Sequence, residues 1–224
     1  MDRRRMLLGG GFPKEPSAYE IISTYTKDDI FTAPKNGWYQ IEVFGASGNG
    51  GEPYYSRGRY EEDSDLYTYF TRSASGGGGG GYACSRVKMK KGDTAKLFPR
   101  GAGATSSIAM IYSSMEKYEN IEVTSGGNGV KASSSSTGMA VGAGGVAKGG
   151  NHENADGKPG SYQTDSGAFE AGDSTPVYVI GYGGAPGHPD GNYGGQGEGL
   201  DNATVIPATK GAAGFIRISA GKTN

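Results

Sequence analysis

Apolar and polar positions begin to alternate in short runs from residue 19 onward. Runs rich in β-branched and aromatic residues occupy 19–25, 30–32, 38–44, 82–89, 95–98, 107–112, 120–124, 177–180 and 213–219. The clearest alternation sets Ile41 and Val43 against Gln40 and Glu42, which is the period of a strand with one buried face. No segment repeats apolar residues at helical spacing. The pattern predicts an all-β protein, and short strands separated by turn signals favour a sandwich or jelly roll.

The strands also predict which large side chains fill the core. We expect most of the core to come from inward positions on the longer strands: Trp38, Ile41, Val43, Val87, Ile121, Val123, Phe215 and Ile218. Cys84 lies in the middle of an alternating strand, so it is predicted to be a buried structural thiol rather than a nucleophile.

Glycine is the extreme feature of the composition, with 43 residues in 224 against a typical usage of about 7%. Fifteen tyrosines, seven phenylalanines and one tryptophan argue against disorder, because disordered chains lack aromatic residues. The tracts could be flexible linkers. They could instead be extended, polyproline-II-like passes packed closely where no Cβ intervenes. Recurrence of the tracts between strands favours packed passes inserted into the sandwich.

Charge and motif content exclude several classes of function. The formal net charge of −1 supplies no field that would attract nucleic acid or an anionic membrane. One cysteine excludes an internal disulfide and a cysteine-based zinc site. The glycine run 76–81 leads into Tyr82 and a strand, whereas a phosphate-binding loop leads into Lys, Ser or Thr and a helix. His152 and His188 lie in loops without an orienting partner, as a catalytic triad would require. We therefore expect no enzyme activity, no cofactor and no metal, and interpret the acidic run 61–65 as a solvated loop tip.

Tyrosine and arginine crowd a polar insert at 52–75. Both residue types are enriched where proteins bind, because they give contact area at low entropic cost. The candidate contact residues are Tyr54, Tyr55, Arg57, Arg59, Tyr60, Tyr67 and Tyr69, with Tyr182 and Tyr193 in the last glycine tract. They could contact a host-surface glycan or protein, or a neighbouring subunit, and the sequence does not choose between these.

Residues 1–18 differ in composition from the domain predicted at 19–224. Arg3, Arg4 and Arg5 precede Met6, Leu7 and Leu8, and glycines and prolines follow. The apolar stretch is shorter than the roughly 7–15 residues of a secretory signal, and no segment has the length of a membrane span. We predict that residues 1–18 form an anchoring arm, in which these six residues make the attachment and become ordered against a partner protein.

Two motifs carry a resemblance to a known family. The first is the sequence Phe31-Thr32-Ala33-Pro34-x-x-Gly37-Trp38-Tyr39-x-Ile41-Glu42-Val43-x-Gly45-Ala46-x-Gly48. The second combines the six-glycine run into Tyr82-Ala83 with the terminal Gly214-Phe215-Ile216-Arg217-Ile218. Together they resemble the glycine-rich domains of phage and prophage fibre or appendage proteins. They are also similar to the glycine-rich domain of anaplastic lymphoma kinase, and more loosely to the fibre-tip adhesins of T-even-type phages.

The resemblance implies a TNF-like jelly roll with packed glycine helices inserted into it. It further implies a structural virion protein, assembled in the bacterial cytoplasm. Such a tail-fibre, tail-tip or capsid appendage would form a homotrimer, attach to other virion proteins through its arm and carry an adhesin-like surface. The alternative is a bacterial surface or secreted carbohydrate-binding module, which would need an export signal.

Overall fold

The computed structural model of the protein describes residues 13–51, 54–59, 66–72, 75–102, 106–116, 118–129, 141–161, 167–170, 183–194, 196, 199–201 and 204–222. Within these residues the regular structure consists of β-strands, and no helix is present. The strands are β1 (Tyr19–Tyr25), β2 (Asp29–Thr32), β3 (Gly37–Phe44), β4 (Tyr54–Arg59), β5 (Leu66–Arg72), β6 (Tyr82–Met89), β7 (Thr94–Phe98), β8 (Ser106–Tyr112), β9 (Glu119–Thr124), β10 (Ala147–Lys148), β11 (Glu153–Ala155), β12 (Gly167–Glu170), β13 (Gly199–Asp201), β14 (Thr204–Ile206) and β15 (Phe215–Gly221). The all-β prediction is confirmed.

Two five-stranded antiparallel sheets form the body of the molecule. The first sheet has the order β1-β15-β3-β6-β11, and the second has the order β10-β9-β8-β7-β2. Strands β7, β8 and β9 form a meander, whereas β1, β2 and β3 alternate between the two sheets. A three-stranded sheet, β12-β5-β4, and a two-stranded sheet, β13-β14, lie outside this pair.

Apolar side chains from both sheets meet in one core. Every second residue of β3, β6 and β15 is buried against the alternate residues of β7, β8 and β9. The largest buried side chains include Tyr39, Met89, Leu97, Ile111 and Ile216. Their burial makes the space between the two sheets the main hydrophobic core.

The predicted core was correct for six of its eight residues. Ile41, Val43, Val87, Ile121, Val123 and Ile218 are buried, but Trp38 and Phe215 are only half-buried. Both alternate with buried neighbours on their strands and therefore lie on the outer face of the first sheet. Phe215 packs there against a second, smaller apolar cluster.

The segment before β1 lies across this outer face. Trp38 Nε1 donates a hydrogen bond to the Pro13 carbonyl at 2.8 Å. Arg86 forms an ion pair of 3.4 Å with Glu15 and places its guanidinium 4.9 Å from the centre of the Tyr19 ring. Within the predicted arm, residues 13–18 therefore contact the sandwich. Arg3, Arg4, Arg5, Met6, Leu7 and Leu8 lie outside the described residues, as does the strand predicted at 177–180.

Candidate contact surface

Glycine-rich segments extend several strands beyond one end of the sandwich. Segment 45–51 follows β3, 76–81 precedes β6, 125–129 follows β9, and 209–214 precedes β15. Register places these strand ends side by side, since Phe44 pairs with both Tyr82 and Phe215. We call the hydrogen-bonded set of segments 45–51, 75–81, 125–129, 141–146, 157–161, 183–187, 191–196 and 209–214 the glycine block.

Segment 76–81 runs through the centre of the glycine block. The amides of Gly78, Gly79 and Gly80 donate to three different segments, with acceptors at Gly127, Lys158 and Asn192. The carbonyls of segment 76–81 accept hydrogen bonds from backbone amides of three further segments. The donors are Gly142 and Gly145 in the first segment, Gly184 and Gly187 in the second, and Gly45 and Gly48 in the third. Backbone groups of the central segment thus find partners in six surrounding segments without side chains.

Contacts made by the carbonyls of this segment repeat every three residues. Gly76 and Gly79 accept from segment 141–146, at N–O distances of 3.2 and 2.9 Å. Gly77 and Gly80 accept from segment 183–187, and Gly78 and Gly81 accept from segment 45–51. A strand would direct its bonds to two neighbours with period two, so this pairing differs from that of the sheets below it.

The spacing of these segments leaves no room for a side chain at the centre. A Cβ placed on Gly78 would lie far inside 3.0 Å of the Ala143 carbonyl oxygen, and one on Gly80 would meet the Gly45 carbonyl oxygen in the same way. Both obstacles are backbone oxygens that are themselves hydrogen-bonded, Ala143 O to Gly127 N and Gly45 O to the Asn192 side-chain amide. Glycine is required here for close approach rather than for an unusual φ angle.

The far ends of the segments meet at the side of the glycine block away from the sandwich. Gly51 N donates to Ser75 O, Gly76 N to Ser161 O, and Gly50 N to Thr209 O. Gly129 N also donates to Asn49 O at 2.7 Å. Four chain excursions, 52–74, 130–140, 162–182 and 197–208, therefore start and return at this one end of the molecule.

Two of these excursions are joined by strand pairing. The Tyr-rich insert contains β4 and β5, which pair with each other, and β12 from excursion 162–182 adds to β5. Arg57 is opposite Tyr69, and Arg59 is opposite Tyr67. Residues paired across two strands lie on the same face of the sheet, and so do residues two apart along one strand. The register therefore puts these four candidate residues on one face, together with Tyr55. Tyr54 occupies the alternate register position, opposite Arg72.

The remaining candidates are separate from this face or lie outside the described residues. Tyr193 belongs to the glycine block and is 63% exposed. Tyr60 and Tyr182 lie outside the residues that the structure describes. The sequence predicted the content of the insert, but its pairing with β12 had no local signal because the partner strand is about 100 residues away.

An aromatic cluster at the joint between the first sheet and the glycine block was not predicted. Phe44 stacks on Phe215 with ring centroids 4.2 Å apart, and the His188 ring lies 4.4 Å from that of Tyr82 and 5.7 Å from that of Phe44. Asp190 N donates to His188 Nδ1 at 3.1 Å, which orients the imidazole. These contacts fix the turn at 187–190 on the outer face of the sheet.

A polar network surrounds the same joint. Arg217 donates to Asp190 from both terminal nitrogens at 3.0 Å, and its Nε lies 3.4 Å from Glu42. Tyr82 donates its hydroxyl to Glu42 at 3.0 Å, which gives the buried carboxylate a second partner. Because Asp190 lies in the turn that joins segments 183–187 and 191–196 of the glycine block, and Glu42 lies in β3, Arg217 links the two regions.

Burial at the joint also keeps the Cys84 thiol and the Tyr82 hydroxyl neutral. Burial is the largest cause that raises the pKa of the Cys84 thiol, to about 12, and it likewise raises the pKa of Tyr82. A thiol held protonated in this way is a poor nucleophile. The predicted burial of Cys84 is confirmed.

Comparison with known proteins adds no relative to this picture: no protein-family model matches the chain, and no curated protein matches it either. Among the described residues, no group of three or more His, Cys, Asp or Glu is placed to hold a metal ion. The same part of the chain contains no helix with the length and hydropathy needed to cross a membrane.

Proposed function

We propose that the protein is a structural virion protein of a phage, a tail-fibre, tail-tip or capsid appendage with an adhesin-like surface at the far end of the glycine block. The observation that carries the proposal is the common origin of the four excursions at that end. A block held by backbone hydrogen bonds in several directions is a stiff support for surface loops. Loops on rigid supports are where binding residues concentrate in proteins.

The proposed fold is a TNF-like jelly roll whose inserted glycine segments are polyproline-II-like passes. The alternation of β1, β2 and β3 between the two sheets supports a jelly roll. The three-residue period of the central segment supports the passes, because polyproline II has three residues per turn and no internal hydrogen bonds. Both features agree with the family that the sequence resembles.

The proposed contact face is the β12-β5-β4 sheet with its opposed tyrosine and arginine positions. Tyrosine rings stack on the apolar faces of sugars, and arginine donates hydrogen bonds to hydroxyl or carboxylate groups. A host-surface glycan therefore fits this residue set. Unlike an active site, such a face needs no group with a perturbed pKa.

Adsorption of particles to host cells tests the proposal. Replacing Tyr54, Tyr55, Tyr67 and Tyr69 together by serine should leave particle assembly intact and reduce adsorption at least about tenfold, or about 1.4 kcal/mol in a binding constant. The control replaces Tyr112 and Tyr118, which are exposed and lie at the opposite end of the sandwich. Normal particles with unchanged adsorption would make the protein a purely structural appendage. Failed assembly would place the four tyrosines at a subunit interface.

A homotrimer is the proposed assembly. Segments without side chains contribute little apolar area, so association would supply burial that a thin core lacks. Light scattering of the purified chain should give a mass near three times 23.1 kDa. A well-folded monomer at micromolar concentration would contradict the trimer.

A further inference from the structure

A small cavity lies at the end of the sandwich opposite the glycine block. It has a volume of about 120 Å³ and lies between the segment before β1, the β2–β3 turn and the end of β15. Trp38 and Pro16 supply apolar walls, and Lys14, Lys35 and Lys222 supply the charged groups. This volume exceeds the roughly 10–15 Å³ that one ordered water needs, so the cavity can admit a small polar group.

The charge of the cavity is of one sign. No acidic side chain lines it, and none of its three lysines forms an ion pair among the described residues. Lys88 lies outside the lining of the cavity, but its Nζ is 5.0 Å from the centre of the Trp38 ring. In a chain with a net charge of −1, this concentration of unpaired cations selects for an anion locally.

A neighbouring cleft provides an internal contrast. It also contains Trp38, but Glu15 and Glu116 lie there beside Arg86 and His152. Glu15 already pairs with Arg86, so the charges of this cleft are mixed and do not favour one sign. Of these two sites, only the lysine-lined cavity has charged side chains of a single sign.

The position of the cavity indicates what would occupy it. Pro13 and Lys14, where the described chain begins, line the cavity, so the predicted arm continues from its rim. A partner that the arm attaches to can therefore reach this end of the molecule. Arg3, Arg4 and Arg5 of the arm carry the same sign of charge as the three lysines, so an acidic partner would satisfy both.

We propose that the cavity formed by Lys14, Lys35 and Lys222 around Trp38 binds carboxylate side chains of an acidic segment in the protein to which residues 1–18 attach. This inference rests on the proposed attachment to a virion. A concave site for one or two anionic groups fits a peptide better than nucleic acid, because DNA binding requires many cations along an extended backbone.

Trp38, the only tryptophan in the chain, lines both the cavity and the neighbouring cleft, so its emission reports binding at this end and the lysine variants assign the response to the cavity. Acetylated hexaglutamate, titrated into the full-length protein at low salt, should change the Trp38 emission in a saturable way, and hexaglutamine at the same concentration should not. The triple variant Lys14→Glu, Lys35→Glu, Lys222→Glu should bind hexaglutamate at least about tenfold more weakly, since three favourable ion pairs become repulsive. The matched control is Lys27→Glu, Lys158→Glu, Lys210→Glu, which changes the net charge equally at exposed lysines elsewhere and should titrate like the wild-type protein.

Three results would overturn the proposal. The first is equal hexaglutamate affinity of the two triple variants, with circular dichroism showing both folded. The second is a larger saturable response to inorganic phosphate than to hexaglutamate at equal ionic strength, and the third is tighter binding of a short DNA duplex. The titration needs no particles, so it is separable from the proposed virion role. If hexaglutamate binds but deletion of residues 1–11 leaves incorporation into particles normal, the assigned partner is wrong, although the cavity still binds carboxylates.

Discussion

The sandwich and the glycine block exclude water in opposite ways. In the sandwich, side chains such as Ile41 and Val123 fill the space between two sheets, and the free energy comes mainly from apolar burial. In the glycine block, Gly78 and its neighbours are buried with no side chain at all, and backbone groups satisfy one another. Truncating a core side chain should therefore destabilise the sandwich, whereas adding a side-chain atom to a glycine should destabilise the glycine block.

The largest expected effect is truncation in the sandwich. Ile41 has no exposed surface and lies at the centre of the core. Ile41→Ala should lower the free energy of unfolding by about 2–5 kcal/mol, because it loses apolar burial and leaves a cavity. Chemical denaturation followed by circular dichroism measures this, with Tyr193→Ala at an exposed site as the control. Equal effects of the two variants would mean that the inside and outside of the sandwich are assigned wrongly.

Addition of one methyl group in the glycine block should have the next largest effect. Gly78→Ala should cost about 1–3 kcal/mol, because the new Cβ overlaps the backbone of segment 141–146 and the segments must separate. The matched control is Gly101→Ala, where a Cβ meets nothing within 4 Å and restricting the unfolded chain should stabilise by up to about 1 kcal/mol. Similar stabilities for the two variants would show that the block is not closely packed.

High pH should lower the free energy of unfolding of the sandwich by a smaller amount. The folded-state pKa of Cys84 is raised from 9.0 to about 12 and that of Tyr19 from 10.0 to about 12. Because unfolding lets these groups ionise at their lower, ordinary pKa, their contribution is complete below about pH 9 and is lost as the pH rises toward 12. The free energy of unfolding should decline over that window, and less steeply in Cys84→Ala. A pH profile identical in wild type and variant would contradict the burial of this thiol.

Prediction from sequence succeeded where side chains carry the signal. Alternation located β1, β2, β3, β6, β7, β8, β9 and β15 within a few residues, since one buried face imposes a period of two. Trp38 was wrongly assigned to the core because its hydrophobicity does not indicate which face of β3 it occupies. Its neighbours on the outer face, Pro13 and Lys88, come from other parts of the chain and gave no local signal.

The glycine block lies beyond such prediction for a physical reason. Glycine has no side chain whose pattern could distinguish Gly79 bonded to Lys158 from Gly80 bonded to Asn192. Its partners are up to about 110 residues away and are chosen by backbone geometry. The glycine tracts predicted close packing, but the arrangement of the segments around 76–81 could be seen only in the structure. The His188 cluster was missed for a similar reason, since a loop histidine carries no local sign of the rings it meets.

Amide hydrogen exchange of residues 78–80 tests the central claim most directly. If the glycine block is a rigid support, the amides of Gly78, Gly79 and Gly80, each bonded to a different segment, should exchange about as slowly as those of Ile41 and Val43 in β3. Exchange by rare opening is expected for both regions, because slow exchange reports stable hydrogen bonds. Exchange of the three glycine amides at the rate of an unstructured peptide, with β3 still protected, would show a flexible linker and contradict the account.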